Sequence, residues 1–79
     1  MLKYKLVYET NSVAQYEYYP EGDTNSEGLI AVSKKSGDIS IVELSPRDDL
    51  KVYALKLMKK LRTFHKVSEY KKDGIIAWY

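Results

Sequence analysis

His65 is the one histidine of the chain, and cysteine is absent from all 79 residues. No thiolate is available as a nucleophile or metal ligand. An imidazole titrates near neutral pH, but a general base needs a nucleophile or an orienting acid within hydrogen-bond reach. The sequence holds no Ser-His-Asp arrangement and no glycine-framed serine. His65 falls beside Met58 and Leu61 at helical spacing and reads as a helix-flank residue. The segment Asp23-Thr24-Asn25-Ser26-Glu27-Gly28-Leu29-Ile30 copies the start of a calcium loop, with oxygen ligands followed by glycine and isoleucine. The closing position needs a bidentate glutamate, and here it is Lys34. The segment therefore reads as a solvated loop. The four glycines are scattered at 22, 28, 37 and 74, so no loop cradles a phosphate. The acidic pair Asp48-Asp49 has an explanation in helix capping, and Glu21 with Asp23 sits in a polar loop. No catalytic residue, metal ligand or cofactor site is assigned.

Two surfaces could bind a partner. A helical segment carries Lys51, Lys56, Lys59, Lys60, Arg62 and Lys66 on its outer face. Lysines are good helix formers and suit a solvated face. Val52 and Leu55 project from that same basic face, flanked by Lys59, Arg62 and Lys66. An apolar pair ringed by cations suggests contact with an acidic protein or with a second copy of the chain. The other surface is aromatic. Tyr16, Tyr18 and Tyr19 lie in one strand on both of its faces, and Trp78 and Tyr79 follow near the end. Two faces of a sheet cannot both pack on one helix, so some of these tyrosines are expected to look outward.

These residues need elements to hold them. Leu2, Tyr4, Leu6 and Tyr8 alternate with Lys3, Lys5, Val7 and Glu9, the period of a strand with one apolar face. Asn11-Ser12 is a turn, and Val13 to Tyr19 is a second strand. Pro20 to Gly28 is a polar, acidic loop. Leu29 to Lys34 and Ile39 to Leu44 form a second hairpin around Lys35-Ser36-Gly37-Asp38, with Gly37 left-handed. The fourth strand is the more continuously apolar and is expected to be an inner one. Ser45-Pro46 starts a helix that runs to about Ser68 or Tyr70. Its apolar stripe is Leu50, Tyr53, Ala54, Leu57, Leu61, Phe64 and Ser68. Asp73-Gly74 turns the chain into a last strand, Ile75 to Tyr79. The order ββββαβ predicts an α+β fold. Two hairpins and a C-terminal strand make an antiparallel sheet, with one long amphipathic helix on one face.

Length, composition and charge frame this as one domain, 1–79, with a hydrophobic fraction of 44% and no disulfide. Its stability is expected to be on the order of 4–12 kcal/mol. The absence of cysteine suits the cytoplasm. No apolar run reaches the length of a membrane span, and no signal peptide is read at the start. The net charge of +2 hides an asymmetry. Residues 1–46 hold four lysines against seven acids, and residues 47–79 hold nine basic side chains against four acids.

Gly28-Leu29-Ile30-Ala31-Val32, Ser36-Gly37-Asp38-Ile39, Val42-Glu43-Leu44-Ser45, Gly74-Ile75-Ile76-Ala77-Trp78-Tyr79 and the tyrosine-rich Tyr16-Glu17-Tyr18-Tyr19-Pro20 carry a resemblance. The chain resembles a group of small proteins of Gram-positive bacteria, often linked to phages or integrated elements. The resemblance implies a bacterial, mobile-element setting and supplies no activity and no site residue. The functional expectation is a non-enzymatic protein-interaction module that binds a partner protein or itself. The alternative is a nucleic-acid-binding accessory protein using the helix lysines.

Overall fold

The computed structural model describes residues 1–77. The expected contribution of Trp78 and Tyr79 lies outside the described residues. Six elements follow in the order β1 (Leu2–Glu9), β2 (Val13–Pro20), β3 (Gly28–Ser33), β4 (Ile39–Glu43), α1 (Val52–Val67) and β5 (Asp73–Ile76). The five strands form one antiparallel sheet ordered β4-β3-β2-β1-β5. α1 lies across β2, β3 and β4 on one face of it. This is the α+β architecture that the alternation and the helical stripe predict. No helix among the described residues is long and apolar enough to cross a membrane.

Strand periodicity fills the core. Leu2 and Tyr4 from β1, Ala14, Tyr16 and Tyr18 from β2, and Ile30 and Val32 from β3 meet Ala54, Leu57, Leu61 and Phe64 from α1. Two glycines make this possible. Tyr18 pairs across strands with Gly28, and Tyr4 pairs with Gly74. Each ring lies over the glycine opposite it. A methyl group at Gly28 would overlap the Tyr18 ring and come within 2.8 Å of the Ser45 backbone nitrogen. A methyl group at Gly74 would overlap the Tyr4 ring. Cross-strand aromatics covering glycines pin the register of both pairs.

The helix begins later than Ser45-Pro46 predicts. Ser45 N–H donates to the Tyr18 hydroxyl at 3.0 Å, and Ser45 Oγ donates to the Ser26 carbonyl. Two turns follow, closed by Asp48 N–H to Ser45 O and by Lys51 N–H to Asp48 O, each at 3.0 Å. Lys51 then adopts a left-handed conformation with φ 60, and the helix starts at Val52. The cap is the buried Asp48 side chain. Its Oδ1 accepts the Tyr53 N–H at 3.0 Å and its Oδ2 accepts the Ala54 N–H at 2.8 Å. Tyr18 O–H donates to Oδ2 at 3.1 Å. A strand tyrosine thus holds the residue that caps the helix.

Three further expectations are corrected. Leu50 is no part of the inner stripe: it precedes the helix and is 83% exposed. Ser68, at the far end, is exposed as well. β4 is an edge strand, not an inner one, because β5 returns to β1 and leaves β4 with one neighbour. Gly37 is left-handed as predicted, with φ 81.

Burial and hydrogen bonding raise the tyrosine hydroxyls. Tyr16 lies well above its ordinary value, chiefly through burial. Tyr18 is pushed up to about 12 by burial; the Ser45 N–H opposes this and the Asp48 charge adds to it. The native state therefore holds these protons more tightly than the unfolded chain, whose tyrosines titrate near 10.0. The contribution of Tyr18 to stability is complete below pH 10.0 and is lost as pH rises through about 12, and that of Tyr16 is lost at higher pH still. A spectrophotometric titration of tyrosinate, run alongside circular dichroism, is expected to show Tyr16 and Tyr18 among those of the eight tyrosines that ionise only as the fold is lost. Titration of all eight before any loss of ellipticity is the contrary result.

Candidate functional site

The helix presents its buried stripe inward and two other stripes outward. Ala54, Leu57, Leu61 and Phe64 recur at three- and four-residue steps and touch the sheet. Val52, Leu55, Lys59, Arg62 and Lys66 share the opposite side. Val52 is 42% exposed and Leu55 is 56% exposed, and the three cations are exposed. The structure therefore brings the five sequence-predicted residues onto one surface. Leu50 joins Val52 and Leu55 as an exposed apolar residue at the same end of the helix. Arg47, Asp48, Asp49, Leu50, Val52 and Tyr53 line a shallow depression there.

The charge of the helix is one-signed. Between Val52 and Val67 it carries five Lys and Arg side chains and no carboxylate. Three acids near the start of the helix are put to other uses. Asp48 is buried beneath the first turn. Glu21 Oε2 accepts the Tyr53 hydroxyl at 2.6 Å, and Asp23 Oδ2 accepts from Arg47 at 3.2 Å. Hydrogen bonding draws both carboxyls below their ordinary values, Glu21 chiefly through the N-terminal ammonium of Met1 and then the Tyr53 hydroxyl, Asp23 chiefly through the Asn25 N–H.

A second basic stripe escapes a reading that treats the outer face as a single surface. Lys56, Lys59, Lys60 and Thr63 recur at the same helical steps and line a groove against Ile75 and Ile76 of β5 and the Ala77 that follows it. Ile75 is 61% exposed, while its neighbour Ile76 is half-buried against the core. The unbroken apolar run at 75–77 gives no alternation from which to assign these faces. The signal that finds the groove is the i, i+3, i+4, i+7 spacing of Lys56, Lys59, Lys60 and Thr63.

The aromatic surface is overturned in the main. Tyr16 and Tyr18 are fully buried. They sit on the helix side of β2, where Leu6 and Tyr4 of β1 and Ile30 and Gly28 of β3 are their partners. Tyr19 alone of the three points to the helix-free face. It is half-buried, and its hydroxyl donates to Glu17 Oε1 at 2.6 Å. Burial and that carboxylate push its hydroxyl up to about 12. A single half-buried tyrosine tied to a neighbour makes no stacking platform.

His65 meets Tyr70, with Nδ1 and the hydroxyl 2.9 Å apart, and its ring packs on Gly37. Lys34 Nζ lies 5.1 Å from the centre of the Tyr70 ring and pairs with Glu9. This knot ties the helix C-terminus to the β3–β4 turn. The loop after Asp23 is self-satisfied. Asp23 Oδ1 accepts the Asn25 N–H at 3.0 Å, and Oδ2 accepts from Ser26 Oγ at 3.0 Å. Among the described residues, no three histidine or carboxylate groups converge as a metal site.

Comparison with known proteins finds no relative: no family model, no curated protein and no solved structure matches the chain.

Proposed function

We propose that the chain is a small, non-enzymatic protein-interaction module acting in the cytoplasm. On this reading, the outer face of α1 docks an acidic partner that presents an apolar spot. The observation that carries the reading is the exposure of Val52 and Leu55 among the cations of a helix without a carboxylate. Desolvating such an apolar centre supplies affinity, and its cationic rim selects an acidic surface and speeds encounter. Two copies of this face repel each other, so self-association through it is disfavoured. The single histidine is held by a tyrosine hydroxyl, which supports a reading without catalysis. The resemblance to proteins of bacterial mobile elements bears on the setting of this module and not on its contacts.

The test is the double variant Val52→Glu, Leu55→Glu. A carboxylate in the first helical turn is favourable with the helix dipole, and exposed substitutions shift stability by about 0.5 kcal/mol or less, so the fold is expected to hold. In a nuclease-treated pull-down from the source organism, quantified by mass spectrometry, the variant is expected to lose an acidic partner about tenfold or more. Equal capture by both forms sinks the proposed surface.

The one-signed helix also favours a second reading, nucleic-acid binding through Lys59, Arg62, Lys66 and their neighbours. It predicts affinity that falls steeply with salt. Absence of a shift with DNA or RNA at low salt dismisses it.

A further inference from the structure

The two edges of the sheet are built differently. β4 carries a register shift between Leu29 and Ile30 that sets Val42 out of line with its neighbours, and irregular edges resist the addition of another strand. β5 holds an unbroken register with β1 from Asp73 to Ile76. It has no proline and no lysine. Leu6 N–H donates to the Lys72 carbonyl at 2.7 Å, one step along the same register. Bonded and non-bonded pairs alternate in an antiparallel ladder. Leu6–Lys72, Tyr4–Gly74 and Leu2–Ile76 are therefore the bonded pairs. The N–H and C=O groups of Asp73 and Ile75 consequently face away from β1, along the open edge.

The surroundings of that edge define what fits it. On the helix side lies a groove of about 450 Å³, walled by Lys59, Lys60 and Thr63 on α1 and by Ile75, Ile76 and Ala77. On the helix-free side, Ile75 shows most of its side chain. A strand laid along β5 sends alternate side chains to these two sides. One set meets lysines and the other meets isoleucine. We infer that the β5 edge takes an extended segment of a partner protein, added as a sixth strand, in which acidic and apolar residues alternate. Its carboxylates lie against Lys59 and Lys60, and its apolar residues lie beside Ile75. Backbone pairing supplies affinity, and the alternating pockets supply specificity. A second copy pairing β5 on β5 is disfavoured, because it sets two carboxylate-free helices side by side. The inference goes beyond the Val52–Leu55 contact and does not depend on it.

The probe is a fluorescein-labelled octapeptide of alternating glutamate and valine, followed by anisotropy and by amide chemical shifts of the intact chain. Binding is expected to shift the amides of Asp73 to Ile76. Lys59→Glu with Lys60→Glu is expected to weaken it about tenfold or more, and to create binding for the lysine–valine peptide. Ile75→Pro removes an outward N–H without touching the β1 ladder and is expected to abolish it. The same peptide N-methylated at its valines keeps the side chains and loses the pairing, so the test survives if Ile75→Pro fails to fold. Val52→Ala with Leu55→Ala, which adds no charge beside Lys59, is expected to leave binding unchanged, which separates this site from the helix stripe. Equal affinity for the N-methylated peptide overturns the inference, since charge alone then holds it. So does a concentration-dependent dimer in ultracentrifugation whose formation protects the Asp73 to Ile76 amides.

Discussion

Tyr16→Ala is expected to cost about 3–5 kcal/mol, the range for emptying a fully buried aromatic site. Against a total stability on the order of 4–12 kcal/mol, that loss unfolds the chain at the low end of the range and removes roughly a third of the stability at the high end. The reason is position. Tyr16 sits in the central strand, fully buried, with the rings of Tyr4 at 5.9 Å and Phe64 at 6.1 Å. Its ring is where strands and helix meet, and no neighbour can move in without leaving its own contacts. The hydroxyl adds a tie, donating to the Lys71 carbonyl at 2.6 Å. Tyr16→Phe separates the two effects and is expected to cost only about 1 kcal/mol, the net worth of one hydrogen bond. Urea unfolding followed by circular dichroism reads both. Equal losses in the two variants would place the stabilisation in the hydroxyl and not in the packing of the ring.

Asp48→Ala is the other large effect, at about 2–4 kcal/mol. Three donors lose their acceptor together: the N–H groups of Tyr53 and Ala54 and the hydroxyl of Tyr18. Ala54 and Tyr18 are fully buried, so water does not readily replace what is lost. Asp48→Asn keeps one oxygen for the helix and should fall in between. Asp49→Ala is the control, since its side chain is exposed and expected to be nearly silent. The comparison is made by urea midpoint at constant pH. If Asp49→Ala costs as much as Asp48→Ala, net charge near the helix dipole is the cause and the capping geometry is not.

Both effects trace to contacts between distant segments. The two-residue period of Leu2-Tyr4-Leu6 and Ala14-Tyr16-Tyr18 is visible in the chain, and so is the helical period of Ala54-Leu57-Leu61-Phe64. Their burial follows from it. The same helical period places Val52, Leu55, Lys59, Arg62 and Lys66 together on the outside, which is why that surface is legible without a structure. The tyrosines are less legible. Tyr18 and Tyr19 offer one ring to each face, and β-propensity has no preference between faces. Tyr18 goes inward because Gly28 stands opposite and leaves room for its ring, and Tyr4 does so above Gly74.

Sequence alone determined the kind and order of the elements, the inner face of the helix and the one-signed charge of its outer face. These rest on periodicities and charges that each segment carries within itself. Tertiary structure decided the rest. It moved the helix start from Ser45 to Val52, because Tyr18 of β2 engages Ser45 and Asp48 and holds the intervening backbone in turns. It put β4 at one edge and β5 at the other, because β1 had a side left to pair. It opened the groove between Lys59 and Lys60 of α1 and Ile75 to Ala77, because α1 packs chiefly on β2, β3 and β4. Each of these outcomes depends on which segments meet, and a local pattern carries no information about its partner.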